Sequence, residues 1–136
     1  MNSIAFKSGY KYQLTHHYTV GTPIRPARTI GTIYISLNAS GVLDIAKGYA
    51  WDGPSGIAFD TLNFMRGSMI HDALYQLVRE GHLEPFNKDA IDRLLQAICI
   101  EDGMSRLRAW WVYHGVRLFA DFAVRPSSQK PTLYAP

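Results

Sequence analysis

The chain has 136 residues, a length typical of one domain whose core needs no disulfide or metal to hold it together. Its composition, 47% hydrophobic and 18% charged, is that of globular proteins and excludes a chain that stays disordered. The formal charge of +3 comes from basic residues that are scattered along the sequence, which argues against a nucleic-acid partner.

The single cysteine and the N-terminus bear on the cellular compartment. Because Cys99 has no second cysteine to pair with, an internal disulfide is excluded and a reducing compartment is expected. The first residues, MNSIAFKSGYKYQL, lack the apolar run of a signal peptide. No apolar stretch approaches the roughly 20 residues that a membrane-spanning helix needs, so we expect no transmembrane segment.

Residues 10–50 are predicted to be β structure. Residues 10–20 and 29–37 are rich in Tyr, Thr, Ile and Val, and the sequence alternates with the period of a strand from Thr32 onward. Residues 38–41, Asn-Ala-Ser-Gly, have the composition of a turn and precede a further strand-like segment, Val42–Ile45. This pattern predicts an antiparallel hairpin.

The rest of the sequence predicts a loop and three helices. Residues 49–57, YAWDGPSGI, combine two glycines with a proline and favour a shaped loop. The first helix is predicted over residues 63–80 and is stopped by Gly81. The second is capped by Asn87 and ends at Gly103.

The third helix is capped by Ser105 and is apolar nearly all round, so we expect it to be central in the fold or covered by a partner. In this interpretation Trp110 and Trp111 pack in the core, with a ridge that binds a partner as the alternative. Cys99 lies on the apolar side of the second helix and is expected to be inert.

The predicted fold class is α+β, with an N-terminal antiparallel hairpin or meander, a Gly/Pro loop and a C-terminal three-helix bundle. We predict one domain over residues 1–124, divided into about 1–50 β, 51–62 loop and 63–124 helical. Residues 125–136 contain three prolines and no periodicity, which predicts an extended tail. We expect this tail to lie on a neighbouring surface such as another subunit.

The candidate chemistry depends on where three side chains fall on the two predicted helices. At about 100° per residue, His71 lies at the edge of the apolar face of the first helix, with Tyr75 slightly further round. Asp92 occupies the same kind of edge on the second helix. If the helices pack antiparallel through their apolar faces, the imidazole and the carboxylate meet. A carboxylate on one ring nitrogen leaves the other free to take a proton from water, which is a general-base arrangement.

Asp72 points away from this edge and suits a different task. With oxygens of the loop that contains Asp52 and Gly53, its carboxylate makes the ligand set of calcium or another divalent cation. The plainer alternatives also stand. In these alternatives, His71 and Asp92 form a purely structural pair and Asp72 is a solvated helix residue. The loop then serves only to reverse the chain direction.

Three sequence motifs in this order resemble an uncharacterised family of tailed phages and bacteria, known as domain of unknown function 1353. They are GYAWDGPS at residues 48–55, HDALY at residues 71–75, and Asp92 followed by Gly103, Arg106, Tyr113 and Arg117. The resemblance spans roughly residues 44–120. It implies a phage or prophage origin and carries no established activity.

A more distant likeness concerns chemistry. The order of a glycine-bearing loop, a helix with His-Asp-x-x-Tyr and a later Asp is similar to the core of secreted phospholipases. That likeness implies that His71 is the base that activates water, Asp72 the calcium ligand, Asp92 the acid that orients the base and Tyr75 a support. The disulfide cysteines that flank the motif in those enzymes are absent here.

Two functions of different classes follow. The first is a phage-encoded hydrolase, phospholipase-like or directed at peptidoglycan, which uses water to attack an ester or amide of the cell envelope. The second is a non-enzymatic virion or tail-associated protein. In it the third helix and the tail contact phage structural proteins or a second copy of the chain. We expect the protein in the host cytoplasm during infection, and in the virion under the second hypothesis.

Overall fold

The computed structural model describes residues 6–7, 12–51, 62–118 and 120. Within these residues, seven short strands come first and three α-helices follow, so the α+β prediction is confirmed. The predicted loop, except its first residues, and the predicted tail lie outside the described residues.

The strands form two antiparallel sheets, with the orders β1-β2-β7 and β3-β6-β5-β4. Their bounds are β1 (Phe6–Lys7), β2 (Tyr12–Leu14), β3 (Tyr18–Gly21), β4 (Ile30–Gly31), β5 (Ile35–Leu37), β6 (Val42–Ile45) and β7 (Ala50–Trp51). Strands β5 and β6 form the predicted hairpin, with Leu37 opposite Leu43. The side-chain oxygen of Asn38 accepts bonds from the backbone N–H groups of Ser40 and Val42, which closes the turn.

The predicted β structure of residues 10–20 and 29–37 is divided into shorter strands. Residues 10–20 are not one strand, because residues 15–17 separate β2 from β3 and the two strands belong to different sheets. Residues 29–37 are likewise interrupted. Thr32 bonds Ile35 through its backbone N–H and through its hydroxyl, which turns the chain between β4 and β5. The alternation of apolar and polar residues begins at Thr32, within this turn, so it does not mark where β5 begins.

The helices are α1 (Leu62–Arg79), α2 (Lys88–Glu101) and α3 (Arg106–Leu118). Both predicted glycine stops are confirmed. Gly81 and Gly103 have φ of +82° and +104°, which side chains disfavour. The backbone N–H of the residue after each glycine donates to the carbonyl of Leu77 in α1 or of Cys99 in α2, which satisfies a carbonyl in the last turn of each helix.

One predicted cap is present and the other is not. The Ser105 hydroxyl accepts a bond of 3.2 Å from the backbone N–H of Arg108, at the start of α3. Asn87 does not cap α2, because its backbone is already helical and its side chain bonds the carbonyl of Glu84. The cause is a short 3₁₀ turn, Pro85–Asn87, that leads directly into α2.

Helix α2 packs against both α1 and α3. Residues early in α1 face residues late in α2, as in an antiparallel pair, and the helices approach closely at Gly67. A Cβ at that position would lie 2.9 Å from a methyl carbon of Leu95. An apolar cluster joins all three helices and consists of Phe64, Leu95, Cys99, Met104, Ala109 and Val112.

Helix α3 is mostly exposed, which contradicts the first of its two predicted alternatives, a central position; cover by a partner stays a prediction. Only Ala109 and Val112 are buried within Arg106–Leu118, whereas 13 of the 18 residues of α1 are buried. Trp110 and Trp111 are exposed, so the expectation that they pack in the core was wrong. Apolar character all round a helix does not tell which of its faces the fold covers. Of the three helices, α1 has the largest buried share of residues.

The described residues divide into two compact units, residues 6–7 with 12–51, and residues 62–118 with 120. All described strands lie in the first unit and all described helices in the second. The prediction of a single domain over residues 1–124 stays a prediction. Among the described helices, none has both the length and the apolar character that crossing a bilayer requires.

The turn between β5 and β6 gives a stability prediction. Gly41 has φ of +89°, and a Cβ there would collide with the carbonyl oxygen of Thr22. We expect Gly41→Ala to lower the free energy of unfolding by about 2–4 kcal/mol. Thermal or urea unfolding measures this change. The matched control is Gly21→Ala, where a Cβ meets nothing within 4 Å, and equal losses in both variants would contradict the prediction.

Candidate functional site

A fully buried carboxylate, that of Asp92, lies at the centre of the candidate site. One oxygen, Oδ1, accepts bonds of 2.7 Å from Nε2 of His71 and of 2.7 Å from the hydroxyl of Tyr75. The other oxygen, Oδ2, accepts a bond of 2.8 Å from Nη1 of Arg117. The structure therefore brings together the three residues that the sequence proposed as catalytic, and it adds an arginine.

Helix geometry explains the convergence. His71 and Tyr75 are four residues apart on α1, so their side chains lie one above the other on the same face. Their rings stack, with centroids 4.2 Å apart. Gly67, one turn before His71, lets α1 approach α2 closely enough for the short side chain of Asp92 to reach both rings.

The bond to Asp92 determines which nitrogen of His71 is available. An ionised carboxylate only accepts, so Nε2 carries the hydrogen and the lone pair of neutral His71 is on Nδ1. Within the described residues, no hydrogen bond to Nδ1 is made. The side chain of His71 keeps 12% of its surface exposed. The ring is thus held on one side and open to solvent to a small extent.

Arg117 connects Asp92 to a second carboxylate, that of Asp89 at the start of α2. Its Nε lies 3.8 Å from Oδ1 of Asp89. Asp89 also accepts bonds of 2.5 Å from the Tyr113 hydroxyl and of 2.8 Å from Nε of Arg93. These bonds, that of Tyr113 first, hold the pKa of Asp89 below its usual value. The bond to Asp92 raises the pKa of Arg117.

Sequence reasoning gave Arg117 no role. It appeared only as a member of the family motif, together with Tyr113. The signal that could have found it is its position. Arg117 lies on the third helix eleven residues after Arg106, beside the face that buries Val112, from which an arginine reaches a carboxylate on a packed neighbour.

The proposed cation ligands are only partly described. Asp72 lies on α1 next to His71 and is partly buried. Asp52 and Gly53 lie outside the described residues. Over the part of the chain that the structure describes, no three His, Cys, Asp or Glu side chains are grouped to hold a metal. The calcium or divalent-cation site stays a prediction.

A second buried charge, Arg66 on α1, has a structural role. Its guanidinium donates bonds of 3.0 and 2.9 Å to the two oxygens of Asp102 and also contacts Glu101. These carboxylates lie at the C-terminal end of α2, where a cation also interacts favourably with the helix dipole. Arg66 therefore links the N-terminal part of α1 to the C-terminal end of α2.

Comparison of the chain with protein-family models, with curated proteins and with solved structures found no match. The resemblance of residues 44–120 to the phage family and the likeness to secreted phospholipases therefore stay predictions from the motifs.

The pairing of Arg117 with Asp92 gives a second stability prediction. Arg117→Met removes the cation from a buried carboxylate and should cost about 1–3 kcal/mol of unfolding free energy, a range reduced because the arginine is partly exposed. In an Asp92→Asn background the same change should cost much less. Urea unfolding of the wild type, the two single variants and the double variant measures the coupling free energy between Arg117 and Asp92.

The control for this cycle is Arg93→Met. Arg93 is exposed and bonds Asp89 from the same helix, where solvent screens the pair, so its loss should leave the unfolding free energy nearly unchanged. Equal costs of Arg117→Met with and without the carboxylate would contradict the coupling.

Cys99 gives a third prediction. Burial raises the pKa of its thiol to about 12, so almost no thiolate forms near neutral pH. We expect a colourless disulfide reagent such as DTNB to leave the folded protein unmodified at about pH 8 and to react rapidly after denaturation. Because the chain has one cysteine, the signal is unambiguous. Rapid reaction of the native protein would show that this side chain is accessible.

Proposed function

We propose that this chain is a small hydrolase in which His71 is the general base and Asp92 orients it. The observation that supports this proposal is the bond of 2.7 Å between Nε2 of His71 and the fully buried Asp92. It fixes the tautomer and directs the basic lone pair of Nδ1 away from the carboxylate. A base held in this way is prepared to act on a water molecule rather than on its own partner.

The reaction would be water attack on the carbonyl carbon of an ester or amide. A water molecule bonded to Nδ1 gives its proton to His71 as its oxygen forms the new bond to carbon. Asp92 stabilises the resulting imidazolium. The proton then passes to the leaving oxygen or nitrogen as the carbonyl–heteroatom bond breaks, which yields an acid and an alcohol or amine. Tyr75 and Arg117 keep the carboxylate directed at the ring.

The negative charge that develops on the carbonyl oxygen also needs stabilisation. A divalent cation held by Asp72 with Asp52 and Gly53 would supply it as a Lewis acid. The phage or prophage origin and the envelope substrate, either phospholipid or peptidoglycan, come from the resemblances and form part of this proposal. Location in the host cytoplasm during infection is likewise part of this proposal.

A second candidate has an observation in its favour. Asp92 is fully buried and both of its oxygens are bonded, which is what a structural ionic centre requires. In that case the chain is a virion or tail-associated protein without catalysis. The two candidates differ in what a change at His71 does, because a structural pair affects only folding.

The decisive experiment assays phospholipid vesicles and purified peptidoglycan, each with added calcium and with a chelator. We expect hydrolysis of one substrate, and a decrease of roughly 10²–10⁴-fold in kcat for His71→Ala. Asp92→Asn should also lower kcat. His82→Ala is the matched control, because His82 is an exposed histidine outside the site. Thermal unfolding of each variant separates lost chemistry from lost structure.

Full activity in His71→Ala would eliminate the proposed base. A wild-type protein that hydrolyses neither substrate, with a His71→Ala variant that is only less stable, would support the structural candidate. Calcium dependence that disappears in Asp72→Asn would support the cation site, and activity unaffected by the chelator would contradict it.

A further inference from the structure

The outer face of α3 presents a continuous apolar surface to solvent. Four large side chains on it are exposed: Leu107 by 70%, Trp110 by 46%, Trp111 by 63% and Leu118 by 81%. Their spacing of three, four and seven residues places them on one side of the helix, opposite the buried Ala109 and Val112. We call Leu107, Trp110, Trp111, His114 and Leu118 the α3 stripe.

The aromatic rings of the stripe pack on one another. The rings of Trp110 and Trp111 meet edge to face with centroids 5.2 Å apart, and His114 lies 4.1 Å from Trp110. Such pairing holds exposed rings in a fixed arrangement. A contiguous exposed apolar patch on a small protein is typical of an interaction surface.

The charged residues of α3 itself all have one sign. Arg106 lies on one flank and Arg108 on the other, at helical angles of about 100° from the centre of the stripe. Arg106–Leu118 contains no aspartate or glutamate. The occupant of this face should therefore be anionic.

A second copy of the chain is a poor occupant. Two copies would bring arginines of the same sign together. The four exposed side chains also offer only on the order of 500 Å², whereas a stable protein interface buries about 800 Å² on each partner. A lipid surface imposes no such minimum area and no shape complementarity.

We propose that α3 docks onto the surface of an anionic lipid bilayer. Tryptophan and leucine in the stripe would enter the boundary between headgroups and acyl chains, where indole rings are favoured. Arg106 and Arg108 would lie at the level of the lipid phosphates. The helix would lie along the surface and not cross it. This inference rests on α3 alone and not on catalysis by His71.

Vesicle binding tests the proposal. The protein is sedimented with vesicles of phosphatidylcholine alone or mixed with phosphatidylglycerol, at low and at high salt. We expect binding to the anionic vesicles that weakens with salt. The double variant Trp110→Ser with Trp111→Ser should bind on the order of tenfold more weakly. Phe86→Ser, which removes an exposed aromatic outside the stripe, should bind like the wild type.

Two further readouts sharpen the test. Of the three tryptophans, Trp51 is buried, so a blue shift of the emission on vesicles reports Trp110 and Trp111. Arg106→Glu should lower binding to anionic vesicles several-fold and leave any binding to neutral vesicles unchanged. Because these measurements follow binding and not turnover, their failure leaves the hydrolase proposal standing, and the reverse also holds.

Three results would overturn the docking proposal. They are no binding of the wild type to anionic vesicles at low salt, an equal loss of binding in Phe86→Ser, and a wild-type dimer in sedimentation velocity that the double variant abolishes. The last result would assign the stripe to contact between copies of the chain.

Discussion

Burial of the Asp92 carboxylate is the interaction on which the helical unit depends. Removing such an ion from water costs several kcal/mol unless donors replace its hydration. Here the donors come from His71 and Tyr75 on α1 and from Arg117 on α3, while the carboxylate itself is on α2. One side chain thus links all three helices. The same bonds set the orientation of the imidazole, so folding and any chemistry at His71 have a common origin.

The sequence predicted those parts of the structure that follow from local geometry. Helix periodicity and the two glycine stops were correct, and the contact between residues 71 and 92 is present, because 100° per residue converts spacing into direction. Strand ends were less predictable. Alternation of apolar and polar residues begins inside the turn at Thr32, before β5 begins. The 3₁₀ turn before α2 replaced the expected cap at Asn87 with a contact to the carbonyl of Glu84.

What the sequence could not give is which helix faces the fold covers. The composition of α3 is compatible with a central helix and with an exposed one, and only packing against α2 decides between them. Arg117 was missed for the same reason, since its partners Asp89 and Asp92 lie on another helix, more than 20 residues away in the chain. In the folded chain, Arg93 contacts Asp89, Asp89 lies near Arg117, and Arg117 bonds Asp92, so positive and negative charges alternate. This order is not visible in the sequence, because Arg117 comes from α3.

Gly67 sets the separation of the first two helices one turn from the candidate base. Interaxial distance depends on the side chains at the point of contact, and a hydrogen at this point gives the shortest distance available. The span that Asp92 must bridge is therefore fixed by a residue that takes no part in the hydrogen bonding. A bulkier residue at position 67 would press on the side chains of Leu95, Cys99 and Ile98, and any outward shift of α1 that relieved this pressure would lengthen the distance that Asp92 has to span.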